Sequence, residues 1–72
     1  MRREQALEVI RQILNAGYCK SITLLSNAGN RPHDWQIKIN NDSNIYPCIE
    51  KIVKENALAA KKEDSSLIIY EP

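Results

Sequence analysis

The thiol and imidazole groups of the sequence, which could bind a metal or act in nucleophilic catalysis, are Cys19, Cys48 and His33, and Asp34 is the carboxylate next to His33. A structural zinc site needs four ligands, which usually come in closely spaced pairs such as C-x-x-C. Here the two cysteines lie 29 positions apart, and neither has a close partner in the sequence. The spacing therefore predicts two unrelated thiols, with no bound metal and no cofactor.

The same residues make a poor catalytic triad. His33 and Asp34 are neighbours on a predicted strand, and neighbouring side chains of a strand leave on opposite faces. Asp34 is therefore badly placed to orient His33 towards either cysteine, as a triad requires. The two glycines, Gly17 and Gly29, form no phosphate-binding loop. We expect no enzymatic activity, and we interpret His33 as a solvated residue at the end of a hairpin.

The composition is that of one small globular domain covering residues 1–72. With 43% hydrophobic and 26% charged residues, the chain resembles neither a disordered nor a membrane sequence. Its net charge of +1 gives no general attraction to nucleic acid or to an anionic membrane. The first residues lack the apolar stretch of a secretory signal, which predicts a cytoplasmic protein with reduced cysteines. If the chain were exported, Cys19 and Cys48 could instead form one disulfide.

The first predicted element is a helix over residues 2–16. Its apolar residues recur at steps of three and four and gather on one stripe, which we expect to be buried. Gly17 follows the stripe and predicts the end of the helix, because glycine adopts the left-handed backbone of a helix C-terminus without steric cost. The residues of the stripe are Ala6, Leu7, Ile10, Ile13 and Leu14.

A second helix is predicted from about residue 44 to residue 56. Residues 41–44 offer several N-caps, and Pro47 fits only within a first helical turn. The polar residues of this segment fall outside an apolar stripe, on which Cys48 is interpreted as a small core residue. The residues of the stripe are Ile45, Cys48, Ile49, Ile52 and Val53.

Three strands are predicted from alternating or β-prone residues. In residues 20–26, Ile22 and Leu24 point one way and Leu25 the other; in residues 33–40, Trp35 shares the apolar face with the isoleucines. The turn-forming residues 27–32 between them are typical of a hairpin. Residues 67–70 are consecutively apolar and β-prone, which predicts a further strand.

Residues 57–63 allow two interpretations. Their alanines and lysines favour a continued second helix, which would give the order αββαβ. However, residues 48–57 repeat the pattern of residues 9–18, which favours two helix–strand–strand units and the order αββαββ. We predict αββαββ, with αββαβ as the alternative. Either order gives an α+β two-layer sandwich with two helices on one face of an antiparallel sheet.

The last strand is apolar on both faces, so one layer of helices cannot cover all of it. Either Leu67 and Ile69 join the core and Ile68 and Tyr70 lie on the open side, or the reverse. We expect the first, with Leu25, Ile68 and Tyr70 forming an interaction patch on the open side of the sheet and Gln36 and Lys38 as polar neighbours. Burying three such side chains contributes about 5–9 kcal/mol, against an association cost of about 4–15 kcal/mol. The patch predicts a protein partner or a weak homodimer, and a protein that acts as a non-catalytic interaction or accessory module.

The alternative function is weak nucleic-acid binding through Lys38, Lys61 and Lys62. Single-strand binders stack bases on exposed aromatics and surround them with positive charge. The sequence offers one such aromatic, Tyr70, and the lysine doublet is followed at once by Glu63 and an aspartate. These features disfavour nucleic acid as the partner.

Overall fold

The computed structural model of the chain describes residues 1–18, 20–26 and 34–72. Within these ranges the four strands form one antiparallel sheet in the order β1-β2-β4-β3. The predicted α+β class and the order αββαββ are confirmed, and the longer second helix of the alternative does not form. The elements are α1 (Arg3–Asn15), β1 (Ile22–Leu25), β2 (Gln36–Ile39), α2 (Pro47–Glu55), β3 (Ala59–Glu63) and β4 (Ser66–Tyr70).

Helix α1 buries a narrower face than its apolar stripe predicts. Ala6, Val9 and Ile13 are fully buried, whereas Leu7 and Leu14 are 42% and 53% exposed. The expectation that both leucines are buried is therefore wrong. At 100° per residue, Leu7 and Leu14 lie about 100° and 80° around the helix from Ala6, so they stand on its flank rather than over the sheet.

Both helices end in the same backbone arrangement. Gly17 and Ala57 follow their helices with positive φ, at 94° and 55° respectively. The next residue in each case donates its N–H five residues back, Tyr18 to the carbonyl of Ile13 at 3.4 Å and Leu58 to that of Val53 at 2.9 Å. This is a Schellman C-cap. It confirms that Gly17 ends α1, and it explains why α2 stops before the alanines of β3.

The start of α2 differs in part from the prediction. Pro47 occupies the first helical turn as expected, but the N-cap is Tyr46, which makes no side-chain capping bond. The expectation of an N-cap within residues 41–44 is therefore wrong. Ile45 lies before the helix and is 43% exposed, so it does not belong to the buried stripe.

The core lies between the helices and one face of the sheet. Cys48 and Trp35 are half-buried and pack against it, which agrees with their predicted positions on the apolar faces. No helix in the described residues is both long and apolar enough to cross a membrane. The largest fully buried side chains are Ile13, Ile37, Ile39, Ile49, Leu67 and Ile69.

Candidate functional site

The side of the sheet away from the helices is formed by alternate residues of all four strands. In an antiparallel sheet, directly paired residues place their side chains on the same face. Ile37 and Ile69 are paired and face the core, so their chain neighbours Lys38 and Ile68, which are also paired, face the other way. We call this side the open face. Its residues are Thr23, Leu25, Gln36, Lys38, Ala59, Lys61, Glu63, Ser66, Ile68 and Tyr70.

The five residues of the predicted interaction patch all lie on the open face. Leu25 is the direct partner of Gln36, and Lys38 is the direct partner of Ile68. Tyr70 lies two residues beyond Ile68 on the same strand, opposite an alanine of β3. The register therefore places them along one surface that crosses β1, β2 and β4.

The expectation that Ile68 exposes its side chain is wrong. Ile68 is 3% exposed, whereas Leu25 and Tyr70 are half-buried. Ile68 lies between Lys38 on β2 and Lys61 on β3 in the strand register. Lysine has a long aliphatic stem that can cover neighbouring apolar surface while its ammonium group stays in water. The apolar part of the patch is therefore reduced to two half-buried side chains, Leu25 and Tyr70.

A cation–π contact organises one end of the open face. The Nζ atom of Lys61 lies 5.2 Å from the centroid of the Tyr70 ring. Contacts of this kind at exposed sites contribute about 0.5–1 kcal/mol. Lys38 lies on the neighbouring strand opposite Ile68, and Glu63 is the one carboxylate among the described residues of this face.

The lysine doublet does not act as a unit. Lys61 pairs with Ile68 on the open face, whereas Lys62 pairs with Leu67, whose side chain points to the core. Lys62 is exposed and lies on the helix side of the edge strand. The three lysines proposed for nucleic-acid binding are therefore divided between the two faces.

A buried polar cluster between the end of α1 and the start of α2 was missed by sequence reasoning. Asp42 is 4% exposed and accepts a hydrogen bond from the Tyr18 hydroxyl at 2.9 Å. Its other oxygen accepts the Asn44 N–H at 3.2 Å, and the Lys20 Nζ atom lies 3.4 Å away. The only local signal in the sequence is an aspartate in a turn-forming segment, where its carboxylate can accept the backbone N–H two residues on in an Asx turn. Asp42 therefore holds the loop before α2 instead of capping the helix.

The ionisation of this cluster follows from its contacts. Burial opposes the charge on Asp42, but the hydrogen bonds from Tyr18 and Asn44 and the nearby Lys20 outweigh it and hold the pKa of the carboxyl below its usual value. Burial, with the Asp42 charge beside it, raises the pKa of the Tyr18 phenol. The cluster therefore has a fixed charge at neutral pH and shows no group poised for proton transfer.

An apolar groove of about 570 Å³ lies beside this cluster. Tyr18 and Tyr46 meet there with ring centroids 6.1 Å apart. Cys48 lines the groove and is half-buried. Among the described residues that line the groove, the charged one is Lys20, which Asp42 already engages.

The residues first considered for metal binding or catalysis are not gathered into a site. Cys19 and His33 lie outside the described residues. Asp34 lies 3.9 Å from the Met1 ammonium group, and Cys48 lies in the groove. Across residues 1–18, 20–26 and 34–72, no three His, Cys, Asp or Glu side chains are placed to hold a metal ion.

Comparison of the chain with protein-family models, with curated proteins and with solved structures finds no match. The function must therefore be argued from the surfaces of the molecule itself.

Proposed function

We propose that the protein is a non-catalytic interaction module that binds a protein partner on its open face. The observation that supports this is that both described helices lie on the other side of the sheet, so that the half-buried Leu25 and Tyr70 lie on a face that no described helix covers. Isolated apolar side chains are common on surfaces. These two lie on one continuous sheet surface with Gln36 and Lys38 between their strands, which is an arrangement suited to recognition.

The charges of the open face indicate the chemistry of the partner. Lys38 and Lys61 lie on either side of Ile68, and Lys61 already contacts the Tyr70 ring. Fully burying Leu25 and Tyr70 would contribute about 3–6 kcal/mol, which is at the lower end of the association cost. Because the two side chains are already half-buried, their gain is smaller still. We therefore propose a partner that offers an apolar side chain together with carboxylates for the two lysines.

The open face is tested by charge substitution with a matched control. Tyr70→Asp adds a carboxylate to the open face, and Ile45→Asp adds one at an exposed apolar position outside it. Wild-type and both variants are immobilised and exposed to extract of the source organism, with retained proteins quantified by mass spectrometry. We expect a protein that wild-type and Ile45→Asp retain and that Tyr70→Asp loses. Equal retention by all three proteins, or no retained protein, overturns the proposal.

The salt dependence of binding distinguishes the alternative, weak nucleic-acid binding, from binding of a protein partner. Phosphate contacts make affinity fall steeply with salt concentration. Two of its lysines, Lys38 and Lys61, share the open face with Tyr70, so single-stranded oligonucleotide is titrated at low salt against wild-type and against Lys38→Ala. Binding that is lost with salt and weakened in the variant would replace the protein partner with nucleic acid.

We also propose a cytoplasmic location, which cell fractionation tests.

A further inference from the structure

Apolar side chains line the molecule along the outer flank of α1 and the outer strand β1. Leu7 and Leu14 are 42% and 53% exposed. Ile10, Ile22 and Leu24 are half-buried and pack against the core. We call these five residues the α1–β1 edge. It is separate from the open face, because Ile22 and Leu24 point to the helix side of the sheet.

The arrangement of two helices over four strands explains why this edge is exposed. Helix α1 packs on β2 and helix α2 packs on β3. Strands are about 4.8 Å apart and helices pack about 8–10 Å apart, so each helix covers about two strands. With α1 packed on β2, β1 lies beside the described helices rather than under one of them. Gln5 and Gln12 of α1 contact Asn56 at the end of α2, and the exposed leucines lie on the opposite flank of α1, away from α2.

The outer side of β1 carries backbone hydrogen-bonding groups that no described strand pairs with. The Asn40 N–H donates to the Ser21 carbonyl at 2.9 Å, and these two residues are opposite each other in the β1–β2 register. Hydrogen-bonded and non-bonded pairs alternate in an antiparallel ladder, so the N–H and C=O groups of Ile22 and Leu24 point away from β2. Among the described residues no strand pairs with β1 on that side.

We infer that the α1–β1 edge binds a second copy of this chain, with β1 pairing antiparallel to β1 across a two-fold axis at Thr23. In that register Ile22 of one copy exchanges two hydrogen bonds with Leu24 of the other, using the groups that point away from β2. On the open side, Thr23 of one copy lies opposite Thr23 of the other, and such cross-strand threonine pairs stabilise sheets. A residue on a two-fold axis lies opposite the same residue of the other copy, so a charged residue there would meet a like charge. Strand β1 carries no charged side chain, so this self-pairing opposes no like charges.

The exposed leucines fit the same symmetry. The axis makes α1 antiparallel to its copy. Leu7 and Leu14 are evenly spaced about the midpoint between Ile10 and Arg11, so an axis that passes over this midpoint sets Leu7 of one copy opposite Leu14 of the other. Two turns of helix place these leucines about 10.5 Å apart along the axis. The interface is therefore isologous, with the half-buried Ile22 and Leu24 below the facing leucines.

The available surface indicates a weak dimer of folded monomers. The accessible surface is 4576 Å², close to the roughly 4,500 Å² expected for an ordinary monomer of this mass. A standard interface removes about 800 Å² from each partner. A four-residue strand and two turns of helix supply less than that. We therefore expect dissociation at low concentration to leave a folded monomer.

The test changes the two leucines and measures mass against concentration. Analytical ultracentrifugation from about 10 μM to about 1 mM covers the range of weak association. We expect wild-type to shift towards dimer, and Leu7→Lys/Leu14→Lys to weaken the dimer tenfold or more by placing lysines opposite each other. Leu7→Glu/Leu14→Lys places opposite charges together and is expected to recover part of that loss. Both positions are exposed, so circular dichroism is expected to show folded protein throughout.

A control on the other face and an amide probe complete the experiment. Tyr70→Asp is expected to leave the dimer unchanged, since Tyr70 lies on the open face. Hydrogen exchange at the Ile22 and Leu24 amides is expected to slow at high concentration in wild-type and in Tyr70→Asp, but not in Leu7→Lys/Leu14→Lys. A strictly monomeric wild-type at about 1 mM, equal loss in both double variants, or a dimer abolished by Tyr70→Asp overturns the inference. None of these results depends on whether a different protein binds the open face.

Discussion

At the scale of single residues, Asp42 links the stability of the fold to pH. Its pKa in the folded chain lies below its usual value, which in an unfolded chain is about 3.9. Its ionised form therefore stabilises the fold above that pH, and this contribution is lost as pH falls through the folded pKa. We predict that the stability difference between wild-type and Asp42→Asn shrinks as pH falls from about 6 to below 4. Urea unfolding followed by Trp35 fluorescence measures it, and a pH-independent difference would contradict the prediction.

The hydroxyl of Tyr18 makes the same cluster testable at constant pH. Tyr18→Phe removes a donor to a buried carboxylate, and hydrogen bonds to charged groups contribute about 1.5–3 kcal/mol. We predict a loss of that size in the free energy of unfolding at pH 7. Tyr46→Phe is the matched control, because Tyr46 lies beside Tyr18 but is 36% exposed. We expect that change to stay within about 0.5 kcal/mol, and equal losses in the two variants would refute the role of the buried bond.

At the scale of elements, the two helix ends form a matched pair with different residues. Gly17 and Ala57 occupy the same position of the same C-cap, and both have positive φ. An added Cβ at Gly17 would meet no heavy atom within 4 Å, so Gly17→Ala tests the backbone conformation alone. The left-handed region costs a non-glycine residue about 1–2 kcal/mol, partly offset by a less flexible unfolded chain.

Because one cap has glycine and the other alanine at this position, exchanging the residue is expected to change the stability of the fold in opposite directions. Gly17→Ala is expected to destabilise the fold by about 1 kcal/mol, and Ala57→Gly to stabilise it by up to about 1 kcal/mol. For a domain of this size, thermal unfolding should show midpoint shifts of about 4–8 °C per kcal/mol. Shifts of the same sign in the two variants would show that the caps are not equivalent.

The elements also show how far local sequence signals reach. The end of α1 at Gly17 and the alternation of β2 are local properties, and both were predicted. The division of the α1 stripe into buried Ile13 and exposed Leu14 depends on how two helices share one sheet, which no local pattern records. Likewise, Ile68 was expected to be exposed on the open face, and its burial there follows from a strand register that sets it between Lys38 and Lys61. The segment at Ala59–Glu63 stayed ambiguous because its helix propensity is overruled by pairing with β4.

At the scale of the whole molecule, the two helix–strand–strand units share a single core. The inner strands β2 and β4 come from different units and pair with each other. Ile37 and Ile39 from the first unit are therefore buried beside Leu67 and Ile69 from the second. Because each unit completes the core of the other, we expect neither to be stable alone. The chain should unfold in one cooperative transition.

Because the two units share one core, the loss of a single core side chain removes a large part of the stability of so short a chain. A folded chain of 72 residues has a total stability of about 4–11 kcal/mol. Ile69 is fully buried and pairs with Ile37 and Ala60, so it contacts both units through the sheet. Truncation of a buried isoleucine to alanine costs about 2–5 kcal/mol. We predict that Ile69→Ala removes about half of the total stability, while Leu14→Ala, at a 53% exposed position, changes it by less than about 0.5 kcal/mol.

Urea unfolding at low protein concentration checks both values on the monomer. Trp35 fluorescence reports on the first unit and far-ultraviolet circular dichroism reports on both, so the two signals should coincide in every variant if the core is shared. Ile69→Ala lies in the second unit, yet we expect it to lower the midpoint of the Trp35 signal as far as that of the circular dichroism signal. Two separate transitions in Ile69→Ala, with the Trp35 signal unchanged, would mean that each unit has its own core and that the pairing of β2 with β4 does not couple them.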